Sequence, residues 1–288
     1  MALFKIIKTY FYKERINLQI HYFLLCAGGF SLAIIKEKIP LNQINLFKLL
    51  FSILVLILAF YSSLVFNDIY DFEGDRKNLK RTPLTLNLID KKSYYLYGLL
   101  FMFISLLLSI LINIYSFINL LILHLLQIVY SFPPFRLKRI YPISIIILSL
   151  AALFSILYGF SVIEEKYYLK NFPLKLYLVF LFAFPFAMNF RDVLDLNGDK
   201  IQNVKTLPVI VGEKKAPLFA GISLFFTYLL VAIILSKLIF YFLSLISGTL
   251  SLILSLRKKF EETPLFLIYF FYLILSIVII FFNPHYVF

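Results

Sequence analysis

Tryptophan is absent, cysteine occurs once, and only 15% of the 288 residues are charged. The lone Cys26 excludes an intramolecular disulfide. It lies in an apolar run, where a buried and inert thiol is expected. The missing tryptophan carries no mechanism. The shortage of charge is the informative deficit. Soluble domains average about 25% charged and about 45–50% apolar residues, whereas this chain is 62% hydrophobic with a mean hydropathy of +0.92. No soluble core absorbs that excess; the hydrocarbon of a bilayer is its natural solvent.

Helices that cross a membrane need about 20 apolar residues. Nine runs satisfy this, at roughly 17–35, 44–68, 93–113, 115–131, 141–162, 173–195, 213–236, 238–256 and 264–283. They lack period-2 alternation, and open sheets do not span lipid. The expected fold is therefore an all-α, multi-pass membrane bundle of about nine helices around a central cavity, forming one domain over 1–288. Residues 1–15 mix Lys5, Lys8, Lys13 and Arg15 with Leu3, Phe4, Ile6, Ile7 and Phe11, which suits an amphipathic segment lying at the interface. Ala27-Gly28-Gly29 superficially resembles a signal-peptide cleavage site. The series of further spans identifies the segment instead as the first of them.

The net charge of +13 would suggest nucleic acid in a soluble protein. Here the basic residues fall in short loops between apolar runs. With the N-terminus inside, 21 of the 28 Lys and Arg lie on the inner side. The positive-inside rule then makes the N-terminus and the loops after spans 2, 4, 6 and 8 cytoplasmic and the C-terminus external. The expected location is the cell membrane, with lipids and no nucleic acid as partners.

Two acidic motifs close spans 2 and 6. Asn67-Asp68-Ile69-Tyr70-Asp71-Phe72-Glu73-Gly74-Asp75 and Arg191-Asp192-Val193-Leu194-Asp195-Leu196-Asn197-Gly198-Asp199 both contain D-x-x-D-x-x-x-D. Each Asp of the second follows its counterpart by 124 residues, and Gly precedes the last Asp in both. Spacings of three and four predict that the three carboxylates of each motif share one helical face. Like charges so placed repel and are costly to desolvate. Divalent cations would relieve them, and hard oxygen donors favour Mg²⁺, which keeps waters and bridges to substrate phosphates. The plainer alternative is a pair of solvated helix ends with polar caps.

Basic loops accompany the acids. Tyr130-Ser131-Phe132-Pro133-Pro134-Phe135-Arg136-Leu137-Lys138-Arg139 follows span 4, and its prolines end the helix and stiffen the turn. Arg136, Lys138 and Arg139 suit a diphosphate or simple cytoplasmic anchoring. Basic stretches ending in Pro83 and Pro208 follow the two motifs. In span 4, His124, Gln127 and Ser131 share one face, either bonding neighbouring helices or lining a cavity.

Taken together, these residues resemble the UbiA superfamily of intramembrane prenyltransferases. Asn67, Asp68, Asp71 and Asp75 match its N-D-x-x-D-x-x-x-D, and Asp192, Asp195 and Asp199 match its second motif. Residues 130–138 resemble its Y-S-x-P-P-x-R-L-K loop, and Thr206-Leu207-Pro208 with Gly212 resembles its T-L-P stretch. Two positions depart: Thr82 separates Arg81 from Pro83, and Asn203 replaces a Gly. The resemblance implies Mg²⁺-dependent transfer of a polyprenyl group from an allylic diphosphate to a hydrophobic acceptor. That acceptor is an aromatic quinone precursor or, alternatively, a lipid alcohol such as a prenylglycerol phosphate. It places two Mg²⁺ ions on Asn67, Asp71, Asp192 and Asp195, with Asp68, Asp75 and Asp199 completing the metal set. Asp71, Asp195, Arg76, Lys138 and Tyr130 take catalytic places. Asn67, Arg136, Lys138, Arg76, Ser131, Asn189 and Lys205 bind substrate. A cation transporter built on intramembrane carboxylates is the reading from another class. A CDP-alcohol phosphotransferase fits less well, because Phe72 stands where that motif needs Gly.

Overall fold

The computed structural model describes residues 13–288; residues 1–12, most of the expected interfacial segment, lie outside it. Among the described residues there are nine helices long and apolar enough to cross a membrane, and no strand. They start and stop within four residues of the expected runs. We label the long helices and the short ones at the site α1 Lys13–Lys36, α2 Leu46–Tyr70, α3 Phe72–Lys77, α4 Lys91–Ile110, α5 Ile114–Ser131, α6 Ile143–Ser161, α7 Leu174–Asp192, α8 Leu196–Ile201, α9 Leu207–Val211, α10 Ala216–Leu235, α11 Leu238–Ser255 and α12 Glu262–Phe282. The starts are set by local chemistry. Asn45, Asp90 and Asn113 each accept a hydrogen bond from the backbone N–H three residues on, capping α2, α4 and α5. Phe47, Leu238, Leu267 and Phe282 are exposed outward, as lipid-facing side chains must be.

Two features position the site. α1 and α6 meet at Gly29 and Gly159, where any Cβ would collide with the partner's backbone at Ile156 and Cys26. Small residues are what permit membrane helices this approach, and that is the physical role of the Ala27-Gly28-Gly29 stretch. The sixth span, expected as one regular helix, is broken instead. A π turn over Val179–Ala183 leads to a short α stretch and then a 3₁₀ turn over Met188–Asp192. Pro185 supplies no N–H for the helical ladder, and Ser149 of α6 donates its hydroxyl to the Phe180 carbonyl. Such insertions bend helices. The main apolar core gathers α1, α6, α7, α10 and α12, while a smaller one joins α2, α5 and α6 through Val55, Leu120 and Tyr158.

Candidate active site

The first motif does not sit on one continuous helix. α2 ends at Tyr70, and Asp71 (φ −102°, ψ 4°) joins it to α3. The Asp71 N–H still donates to Asn67 and the Asp75 N–H to Asp71, both at 2.9 Å. The three carboxylates meet different cations. Asp68 is buried and accepts from Arg15 Nη2 at 2.6 Å and from the Tyr94 hydroxyl at 2.8 Å. Asp71 accepts from Lys138 Nζ and, at 3.2 Å, from Arg136 Nη2. Asp75 faces Lys80 at 3.6 Å. Buried carboxylates need a partner apiece, and each has drawn its own cation.

The loop after α5 delivers two of those cations. Phe132 packs its ring edge-to-face against Phe66 (4.9 Å between centroids) and at a tilt against Tyr70 (4.6 Å) at the end of α2. Arg136 then adopts a left-handed backbone (φ 40°), and its guanidinium also donates to the Tyr70 carbonyl at 3.0 Å. Lys138 is buried with its ammonium on Asp71. The second motif is joined to the first through Lys80, whose Nζ lies 2.6 Å from Asp195 Oδ1. The Thr206 hydroxyl donates to Asp199 Oδ2 at 3.2 Å. Asp192 is half-buried at the end of α7.

A polar cavity of about 390 Å³ opens among these groups. Its walls carry Asn67, Asp68, Asp75 and Asp195 from the predicted set, together with Arg15, Lys80, Arg81, Arg191 and Glu262. A narrow throat of about 20 Å³ shares Leu18, Arg191 and Phe266 with it and holds His21, which lies 2.8 Å from the Tyr269 hydroxyl. The throat shares Ala187 and Tyr269 with an apolar cavity of about 100 Å³ between α1, α6, α7, α10 and α12. Tyr22 and Leu148 of the throat also border a cavity of about 70 Å³ walled by Ser63, His124, Gln127 and Tyr130. A charged chamber thus adjoins a narrow throat that borders one apolar cavity and one of mixed lining.

Burial pushes the Asp75 carboxyl up to about 7, with neighbouring carboxylates adding to the shift and Lys80 opposing it. Burial, reinforced by Asp192 and Asp195, pushes Asp199 up to about 8. Burial works against the charge of Lys80, but Asp195 and Asp75 outweigh it and hold the ammonium above its usual range. Among the described residues no three His, Cys, Asp or Glu side chains converge as a closed metal cage. The donor set still fits Mg²⁺, which takes one or two carboxylates and completes its shell with substrate phosphates and water. Raised carboxyls and facing cations are the two halves of a site made for a cation and a polyanion together.

Other predicted residues sit elsewhere. Arg76 and Lys205 are exposed and do not line the polar cavity. Asn189 is buried, donating to Phe186 and Ser223 on the α10 side. Tyr130 faces the smaller side cavity. Ser131 is buried and reaches Asn67 Oδ1 at 3.4 Å, while Gln127 bonds both Ser63 and Ser131, so that face of α5 both joins helices and lines a cavity. Sequence reasoning missed Lys80, Arg191 and Glu262 as cavity residues. Glu262, an acid opening an otherwise apolar span, was a usable signal; Lys80 was hidden in a run of ordinary loop cations.

The UbiA prenyltransferase family profile matches residues 24–275. The digeranylgeranylglyceryl phosphate synthase of Methanosphaera stadtmanae is 28% identical over 199 residues, 68% of each chain. A UbiA homologue from Archaeoglobus fulgidus, solved bound to DMAPP and Mg²⁺, superposes with a TM-score of 0.62 at 21% identity, covering 92% of this chain and 97% of that one. A structure of digeranylgeranylglyceryl phosphate synthase superposes with a TM-score of 0.58 at 25% identity, covering 96% and 97%. With nine apolar spans among the described residues, two acidic motifs meeting across one charged cavity and a profile match over most of its length, the chain belongs to the UbiA prenyltransferase family and is a membrane prenyltransferase.

Proposed function

We propose that the chain transfers a polyprenyl group from an allylic diphosphate to the hydroxyl of a membrane lipid alcohol of the prenylglycerol phosphate class, on the cytoplasmic side of the cell membrane. The observation that carries this is the polar cavity in which Lys80 links Asp75 of one motif to Asp195 of the other. Relatives named for digeranylgeranylglyceryl phosphate synthesis favour the lipid alcohol over an aromatic ring carbon. The cavity adds a physical reason. Arg81 and Arg191 also line it, beside Arg15 and Lys80. A phosphate headgroup, with its greater charge and three acceptor oxygens, suits this cluster of cations better than the single carboxylate of 4-hydroxybenzoate.

The residues divide the work as follows. Asn67, Asp71 and Asp195, with Asp75, Asp192 and Asp199 near them, would hold Mg²⁺ against the donor diphosphate. Mg²⁺, when bound, acts as a Lewis acid and clamp on the leaving oxygens. Lys138 and Arg136 at Asp71, and Lys80 at Asp195, are placed to take up negative charge as the C1–O bond breaks. The acceptor oxygen then bonds to C1, its proton passes to the released diphosphate, and the protonated diphosphate leaves. The throat beyond the cavity is narrow and largely apolar, which keeps water from an allylic cation. The prenyl chains occupy the two cavities beyond the throat.

The test is pyrophosphate release by the purified protein in detergent. Geranylgeranyl diphosphate is the donor, and a prenylglycerol phosphate or 4-hydroxybenzoate the acceptor, with Mg²⁺ or EDTA. Release that needs Mg²⁺, the lipid acceptor and Asp71 is the expected result. Release with 4-hydroxybenzoate alone would move the acceptor to the aromatic class. Cation flux in liposomes without any release would replace the enzyme reading with the transporter.

A further inference from the structure

The 124-residue offset between the motifs extends beyond their aspartates. α3 (Phe72–Lys77) and α8 (Leu196–Ile201) begin and end at equivalent positions. Asn78 and Gln202 follow them with the same backbone, φ −80° and ψ 5° against φ −85° and ψ 3°. Leu79 and Asn203 then both turn left-handed, at φ 54° and 56°. The closing bonds match as well: Lys80 N–H donates to the Asp75 carbonyl and Val204 N–H to the Asp199 carbonyl, each at 2.9 Å. The chain has therefore built one short hairpin twice and set the two copies face to face.

Besides the Lys80 ion pairs, two side-chain amides join the copies. Gln202 Nε2 donates to the Asp71 carbonyl at 3.0 Å. Its counterpart Asn78 Nδ2 donates to the Asp195 carbonyl at 3.3 Å. Each amide thus leaves its own hairpin and holds the backbone of the central aspartate of the other. The glycines before the last Asp make room for this. A Cβ on Gly74 would overlap the Gln202 amide, and one on Gly198 would overlap the Asn78 amide. The braces are unequal in one respect: Gln202 Oε1 also accepts from Arg136 Nη2, the cation that reaches Asp71.

We propose that Gln202 and Asn78 are positioning residues: reciprocal cross-braces that set the separation of Asp71 and Asp195, with Gln202 also aiming Arg136. The physical need is plain. A metal-bridged diphosphate spans both motifs, and misplacing one end of such a clamp by about 1 Å costs about a hundredfold. The two motifs lie on different spans, and lipid alone does not fix their distance. Amide-to-carbonyl bonds do, and they let the two hairpins move as one body. This inference rests on the reading that the motifs hold a metal–diphosphate.

The test measures binding of inorganic pyrophosphate with Mg²⁺ to the purified protein by titration calorimetry, beside steady-state kinetics. Gln202→Ala is expected to weaken binding about tenfold and Asn78→Ala about threefold, from loss of one or two hydrogen bonds. The loss should fall on KM for the donor more than on kcat. Gln202→Glu keeps an oxygen for Arg136 but loses the donor to Asp71, and falls between Gln202→Ala and the unaltered chain. Gly74→Ala displaces only the end of a flexible side chain. It should therefore keep the melting temperature yet lose binding as Gln202→Ala does, and the double variant should bind no worse than either single one. Binding within about twofold of the unaltered chain in both Gln202→Ala and Gly74→Ala overturns the braces, as does full additivity of those two changes. If Asp71→Ala leaves pyrophosphate binding intact, the metal–diphosphate reading itself fails, whatever the braces do.

Discussion

The two acidic motifs share a backbone and differ in company. Asp71 and Asp195 occupy equivalent positions, but Asp71 faces two cations delivered by the loop after α5. Asp195 faces one, Lys80, which belongs to the first motif's own hairpin. The position equivalent to Lys80 in the second hairpin is Val204, which is buried. The second motif thus supplies carboxylates and borrows its positive charge. A duplicated scaffold has been made asymmetric, as a reaction with a distinct leaving group and acceptor requires.

The most severe way to break the comparison is to remove either central carboxylate. Asp71→Ala and Asp195→Ala should each cut Mg²⁺-dependent pyrophosphate release about a thousandfold. A much milder loss in one would show that the motifs do not act jointly. The cations sharpen the contrast. Lys138→Ala should lower kcat about a hundredfold, because the ammonium is buried against Asp71, and Lys80→Ala about tenfold, because Arg191 and Arg81 remain in the cavity. Single-turnover rates with saturating donor separate the two.

The first aspartates should differ in kind. Asp68 is fully paired by Arg15 and Tyr94 and ties α1 and α4 to the motif. Asp68→Asn is expected to cost about 3 kcal/mol of stability by removing the carboxylate from a largely buried ion pair, read as a lower midpoint of unfolding. Asp192→Asn should keep that midpoint and lose Mg²⁺ affinity instead. The smallest effect is one of pH. Asp75 and Asp199 hold their protons up to about 7 and about 8 when folded, against about 3.9 when unfolded. A proton held more tightly by the folded chain stabilises it fully below the unfolded value, and that stabilisation is lost as pH rises through the folded one. The metal-free protein should therefore melt at a lower temperature at pH 9 than at pH 6. Mg²⁺ with pyrophosphate should reverse the trend, because it favours the ionised carboxyls.

Much of this was legible in the chain. Apolar runs of about 20 residues declare spans because lipid leaves the backbone no other partner, and Asn45, Asp90 and Asn113 mark starts by a purely local bond. Spacing also announced the duplicated motif. It did not say which cation each carboxylate meets: Asp68, Asp71 and Asp75 turn to cations from three different elements. Lys80 was hidden as a site residue because Asp195, which it bridges to Asp75, belongs to the other motif, whereas Glu262 stood out at the head of an apolar span but showed no destination.

The sequence by itself therefore determined the solvent, the number of spans and the chemistry of the two acidic motifs, because hydropathy and helical spacing act over a few turns of chain. Only the tertiary structure decided which cation meets which carboxylate, where the narrow throat adjoins the polar cavity, and that Gln202 and Asn78 hold each other's motifs. Those are contacts between residues more than a hundred positions apart or on separate spans. They depend on close packing of the kind seen where Gly29 and Gly159 let α1 and α6 approach and where Phe132 seats its loop on α2. Long-range packing of this kind leaves no periodic trace in a single chain.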